Sequence, residues 1–242
     1  MLLGAMNDPK KDLKKEIEWI KKSFDFIDLT IENPMEIDAK KLKTWIGNFP
    51  IVGHTDWSLP VASPYEKIRK AAVEKIKDDI KIFSHFKCEY VNVHPNVDTR
   101  ARKNTILLHS ESFKELMDFS SKFGLKIILE NMPDFSFSEF SEISKKLPGL
   151  HFNLDIAHAF ISDDLEMMIA KFHSKIVHLH ISDNNGLMDE HLPLGIGKID
   201  WIKVVKLLKK YKYDRTITLE VHTAKNHAVF SKVLLEKIWE SV

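Results

Sequence analysis

The chain has 242 residues, with 36 Lys+Arg against 35 Asp+Glu and a formal net charge of +1. At 29% charged and 44% hydrophobic residues it reads as an ordinary globular protein, and the disordered and fibrous classes are excluded. A strongly basic nucleic-acid coat is excluded too, although a local basic groove is not.

Arginine stands only at Arg69, Arg100, Arg102 and Arg215, so bidentate phosphate clamps are scarce. The lone cysteine, Cys88, cannot close an internal disulfide; a reducing cytoplasm fits, with Cys88 a partly buried spectator thiol. No apolar run approaches the ~18 residues of a membrane span. Residues 1–6 are too short for a signal segment and read as a first strand.

In chain order, β-rich runs are expected at Leu2–Met6, Phe26–Thr30, Ile51–Thr55, Tyr90–Pro95, Lys126–Met132, Leu150–His158, Ile176–Asp183 and Thr216–His222. Between them apolar residues recur at helical spacing. Over 65–86, Ile68, Ala72, Ile76, Ile80 and Phe83 share a face, and Ser63, Pro64 and Glu66 predict a capping box at its start. Further helices are predicted over 102–123, with Gly124 as C-cap, and over 225–240. Eight βα units without a low-complexity linker predict one (β/α)8 barrel domain over 1–242.

Strand alternation then sorts the faces. Val91 and Val93 oppose Asn92 and His94. Ile127 and Leu129 oppose Ile128 and Glu130. Phe152 and Leu154 oppose His151, Asn153 and Asp155. Val177 and Leu179 oppose His178 and His180. Ile217, Leu219 and Val221 oppose Thr218, Glu220 and His222. The apolar face belongs under the helices, so the lumen is expected to be polar. Burying so many ionisable groups is costly unless they are paired or bind metal. His94, Glu130, Asp155, His180 and Glu220 come late in their strands, at the rim where barrel active sites lie.

The metal candidates in chain order are His54, His94, Glu130, Asp155, His158, His180, Asp189, His191 and Glu220. Imidazole and carboxylate without thiolate suit a divalent ion such as Zn, Mn, Co or Mg.

The motifs Val52-Gly53-His54, Asn92-Val93-His94-Pro95, Leu129-Glu130-Asn131, Leu154-Asp155-Ile156-Ala157-His158, His178-Leu179-His180-Ile181-Ser182-Asp183, Asp189-Glu190-His191 and Leu219-Glu220 resemble the xylose isomerase-like barrel superfamily. That group holds sugar isomerases and epimerases and the endonuclease IV type of abasic-site endonuclease. In the isomerase pattern the resemblance implies one ion on Glu130, Asp155, His180 and Glu220. In the endonuclease pattern it implies three zinc ions: one on His54, His94 and Glu130, one on bridging Glu130, Asp155, His180 and Glu220, and one on His158, Asp189 and His191.

Under the first pattern, Glu130 and Glu220 are the expected catalytic acid–base pair and the partner is a small carbohydrate-like substrate. Trp57 and Phe160 are expected to wall the site, with Glu32 and His178 as further binding residues; His178, one pleat below His180, is expected to orient a ligand rather than touch substrate. DNA is the partner only under the second pattern, and a metal-binding barrel without catalysis is the remaining alternative.

Overall fold

The structure is a computed structural model that describes residues 1–31, 39–96 and 104–242. Eight parallel strands close into a ring in chain order: β1 (Leu2–Met6), β2 (Phe26–Thr30), β3 (Ile51–His54), β4 (Cys88–Val93), β5 (Lys126–Glu130), β6 (His151–Asp155), β7 (Ile176–Ile181) and β8 (Thr216–Leu219). The ring shuts where β1 pairs with β8, with Leu2 opposite Thr216. Around it run α1 (Leu13–Ser23), α2 (Ala39–Ile46), α3 (Glu66–Phe83), α4 (Thr105–Ser120), α5 (Phe137–Lys146), α6 (Ile156–Ile161), α7 (Leu165–Phe172), α8 (Trp201–Lys210) and α9 (Lys225–Ser241). The predicted (β/α)8 barrel is therefore what the chain forms. Among the described residues no helix is long and apolar enough to cross a membrane.

Each helix presents an apolar stripe to the sheet. On α8 these are Trp201, Val204, Val205 and Leu208, and Asp200 caps the helix by accepting from the Lys203 backbone N–H at 2.9 Å. The stripes meet the outward strand residues, among them Leu29, Val91, Leu129, Leu154, Leu179 and Leu219, in one continuous core.

The lumen is more divided than the alternation predicts. Phe26, Val52, Tyr90, Ile128 and Val177 form a separate apolar floor. The Phe26 ring occupies space beside Gly4, where an added Cβ would lie 2.4 Å from the ring, so β1 carries glycine there. Val177 was expected to face the helices. A register shift pairs Phe152 with Ile176 and Asn153 with His178, leaving Val177 as an extra residue that turns inward. Above the floor lie Asp28, Asn92, Asn153, His178, His180 and Thr218, all fully buried.

Two local expectations change. Helix α3 starts at Glu66 with Tyr65 as N-cap and no side-chain cap; Ser63 instead accepts from the Tyr65 N–H at 3.3 Å. The sixth strand stops at Asp155 rather than running to His158, because the Asp155 carboxylate accepts from the His158 N–H at 2.7 Å and starts α6. Gly124 does end its helical stretch, at φ +72°, after a 3-10 turn over Ser121–Phe123. Cys88 is half-buried, as expected, and burial pushes its thiol up to about 12.

Candidate metal centre and cleft

At the C-terminal end of the barrel a cleft of about 620 Å³ opens, lined by residues that include His54, Trp57, His94, Glu130, Met132, His158, Asp189, His191, Glu220 and His222. Its floor is built by strand ends. Glu130 closes β5, and its Oε2 accepts from the side-chain amides of Asn92 and, at 3.0 Å, Asn153. Oε1 is thereby turned toward His180 Nδ1, 3.4 Å away. Glu220, just past β8, brings Oε2 to 3.1 Å from the same nitrogen. Asp155 completes this group, and the four residues offer ligand atoms within 4.8 Å of one another.

The donor chemistry fits a divalent cation at this position. Asp155 Oδ2, His180 Nδ1 and Glu220 Oε2 are buried without a hydrogen-bond partner. Buried polar atoms rarely stay unpaired, and here the unpaired ones converge. His180 Nε2 lies 2.8 Å from the Asp28 carboxylate, so it carries the ring proton and leaves Nδ1 to face the other carboxylates. An all-oxygen-and-imidazole set suits Zn, Mn, Co or Mg.

Electrostatics point the same way. Burial, with Glu220, Glu130 and Asp189 close by, outweighs His158 and raises the Asp155 carboxyl to about 7. Burial opposes ionisation of Glu130 as well, but His180 and His94 hold it well below the usual carboxylate range. For Glu220, His191 and His180 overcome burial and bring it down to about 2. Carboxylates this crowded are relieved by positive charge between them.

A second group, His54, His94 and Glu130, also offers ligand atoms within 4.8 Å. His94 Nε2 sits 3.3 Å from Glu130 Oε2, and the His54 and His94 rings are 5.0 Å apart. The third expected set takes a different form. Asp189 Oδ2 stands between His158 Nε2 at 3.0 Å and His191 Nε2 at 2.9 Å, which makes a hydrogen-bonded chain. His158 donates from Nδ1 to the Asn131 carbonyl at 2.8 Å. Burial lowers the His158 ring, but Asp155, Asp189 and Glu130 raise it overall well above the usual imidazole value.

Of the expected binding residues, Trp57 lines the cleft and is 58% exposed. Phe160 does not join it; its ring lies against Gly186 and borders a separate depression with Leu165 and Met167. His178 does not line the cleft either. It is wholly buried beneath the cleft, with Nδ1 2.7 Å from Thr216 Oγ1 and Nε2 3.3 Å from Asp28 Oδ2, so substrate cannot reach it. Glu32 lies outside the described residues.

Asp183 explains the loop that follows β7. Its carboxylate accepts from the backbone N–H groups of Asn184, Gly195 and Ile199 and from the Trp201 indole. Gly197 packs so closely that a Cβ would lie 2.3 Å from Asp183 Oδ1. The Gly195-Ile196-Gly197 run is thus a wrap around a buried acid, and it fixes the base of the loop carrying Asp189 and His191.

Two residues were missed. Asp28 shares the inward face of β2 with Phe26 and Thr30, the same alternation that marks the other strands, and that pattern was enough to find it. His222 forms a group with His191 and Glu220 and stacks on the His191 ring at 4.1 Å.

Comparison with known proteins agrees with this architecture. A sequence model described as "Xylose isomerase-like TIM barrel" matches residues 17–237. An uncharacterized protein of Methanocaldococcus jannaschii is 34% identical over 210 residues, 79% of this chain and 71% of that one. A probable endonuclease 4 of Aquifex aeolicus is 26% identical over 207 residues, covering 74% of this chain and 72% of that one. Among solved structures, a D-tagatose 3-epimerase-like protein superposes with a TM-score of 0.89 at 30% identity, covering 99% of this chain and 97% of that one.

Proposed function

Because the chain belongs to the xylose isomerase-like TIM-barrel family, we propose that its cleft holds a divalent metal ion and isomerises or epimerises a small sugar, sugar phosphate or hydroxy-carbonyl compound. The observation that carries this reading is the pair Glu130 and Glu220, brought from β5 and the end of β8 to 3.4 and 3.1 Å from one bare imidazole nitrogen. The likeness to the D-tagatose 3-epimerase-like protein supports the substrate class.

Glu130, Asp155, His180 and Glu220 would hold the ion, which when bound polarises a substrate carbonyl and stabilises the negative charge growing on it. The chain's own groups do the rest. Glu130 and Glu220 are held as carboxylates at neutral pH, the state a proton acceptor needs. They lie at the ends of different strands, so one would accept the proton of a substrate carbon and release it to solvent, while the other, after taking a proton from solvent in the open cleft, would deliver one on the opposite face. The Asn92 and Asn153 amides fix the Glu130 carboxylate plane, and Trp57 offers an apolar wall to a sugar ring.

The test is solvent-proton exchange. D-tagatose and other ketoses incubated with the protein and Mn²⁺ or Co²⁺ in D₂O should take up deuterium at the carbon next to the carbonyl. Glu130→Gln and Glu220→Gln should slow this by about 10² or more.

A second reading has its own observation. His54 and His94, which form a second ligand group with the shared Glu130, are not used by the first chemistry, and that group fits a zinc cluster that cleaves DNA at abasic sites; the Aquifex relative is named a probable endonuclease 4. Incision of an abasic-site duplex, lost in Glu220→Gln and in His94→Ala, with no ketose exchange, would establish this reading over the first.

A further inference from the structure

We propose that Asp28 is the positioning residue that decides which ring nitrogen His54 and His180 turn toward the cleft. This rests on the metal reading of the cleft and is independent of the substrate.

Asp28 lies in the middle of β2, wholly buried, and does not border the cleft. Its Oδ1 is 3.2 Å from His54 Nδ1. Its Oδ2 is 2.8 Å from His180 Nε2 and accepts from Thr218 Oγ1 at 2.9 Å. The His54 and His180 rings stack nearly parallel, 9° apart with centroids 5.3 Å apart, each hung from one oxygen of the same carboxylate.

An ionised carboxylate only accepts, so the ring nitrogens that face it carry the protons. The nitrogens left over are His54 Nε2 and His180 Nδ1. The second is the buried atom without a hydrogen-bond partner that faces Glu130 and Glu220. His54 belongs to one ligand group and His180 to the other, while Glu130 belongs to both. Asp28 therefore joins the two groups from behind as Glu130 does from the cleft side.

Asp28, His178 and His180 themselves have ligand-like spacing. Both Asp28 oxygens are already engaged at hydrogen-bond distance, however, so this trio is a bracket and not a further ion position. Carboxylates behind ligating imidazoles hold the ring orientation and raise ligand basicity, and their loss typically costs 10–100-fold in metal affinity.

The experiment measures zinc and cobalt affinity by competition with a chromophoric chelator in the wild type, Asp28→Asn and Thr218→Val. Asparagine keeps one accepting oxygen, so one of the two rings loses its acceptor. Asp28→Asn should weaken binding about 10–100-fold. Thr218→Val removes another partner of the same carboxylate but leaves its hold on both rings, and should bind like the wild type. Imidazole ¹⁵N spectra of the zinc-loaded wild type need no variant: they should place the proton on His180 Nε2 and the metal on Nδ1.

Equal affinities of the wild type and Asp28→Asn, or a His180 proton on Nδ1, would overturn the role of Asp28 alone. Failure of the wild type to bind either metal would overturn the metal reading and this inference with it. If Asp28→Asn does not fold, the wild-type spectra decide.

Discussion

His109 is buried on α4, away from the cleft, where its Nε2–H donates to the Pro95 carbonyl at 3.1 Å and its ring meets Phe135 edge-on at 5.3 Å. Burial pushes its pKa down to about 4. The unfolded chain takes up this proton near pH 6.5 and the folded chain only near 4, so the unfolded state binds more protons in between. His109 therefore costs nothing above pH 6.5, and stability falls as the pH drops from there toward 4, by about 3 kcal/mol in all. Urea unfolding of His109→Gln should show a shallower loss over that window than the wild type. Parallel curves would contradict the assignment. The cleft behaves otherwise: there neighbouring imidazoles hold Glu130 and Glu220 ionised, whereas burial keeps His109 neutral.

At the scale of elements, Asp155 performs two tasks with one carboxylate. Oδ1 caps α6 through the His158 N–H, and Oδ2 points unpaired into the ligand group. Asp155→Asn keeps an oxygen for the cap and should leave the metal-free unfolding temperature nearly unchanged while weakening metal binding at least tenfold, a figure of about the size seen for damaged ligand shells. Asp155→Ala should lose both, with about 1 kcal/mol of stability going with the cap. A metal affinity untouched by Asp155→Asn would remove it from the site.

Elements were also where the sequence was most and least legible. Each strand appeared within a few residues of its place, because strands buried on one side by helices and on the other by lumen contacts show a sharp alternation. His54, His94, Glu130, Asp155, His180 and Glu220 were legible for the same reason. Asp28 carries the same signal in Phe26-Ile27-Asp28-Leu29-Thr30, as a single acid in an apolar run. The inward turn of Val177 was not legible, since a bulge depends on how two strands pair and not on either strand alone. The inward position of His178 was legible from alternation; its contacts with Asp28 and Thr216, made by side chains of other strands, were not. The end of β6 was misread because Asp155 fits a strand terminus and a helix cap equally well.

For the whole molecule, the barrel sets a contrast between its two ends. The apolar floor of Phe26, Val52, Tyr90, Ile128 and Val177 seals one end, and the other gathers acids and imidazoles from β3, β5, β6 and β7 and from just past β4 and β8. A ligand that binds only the folded chain stabilises it in proportion to the logarithm of its concentration, about 2.7 kcal/mol at a hundred times Kd. The proposed divalent cation would sit where these groups converge. The direct measurement is equilibrium dialysis of the chelator-stripped protein against Zn²⁺, Mn²⁺ or Co²⁺, followed by elemental analysis. Retained metal in at least stoichiometric amount, a raised unfolding temperature, and loss of both in Glu220→Gln are the expected results. A wild-type protein that retains no metal and unfolds at the same temperature with and without it would contradict the account.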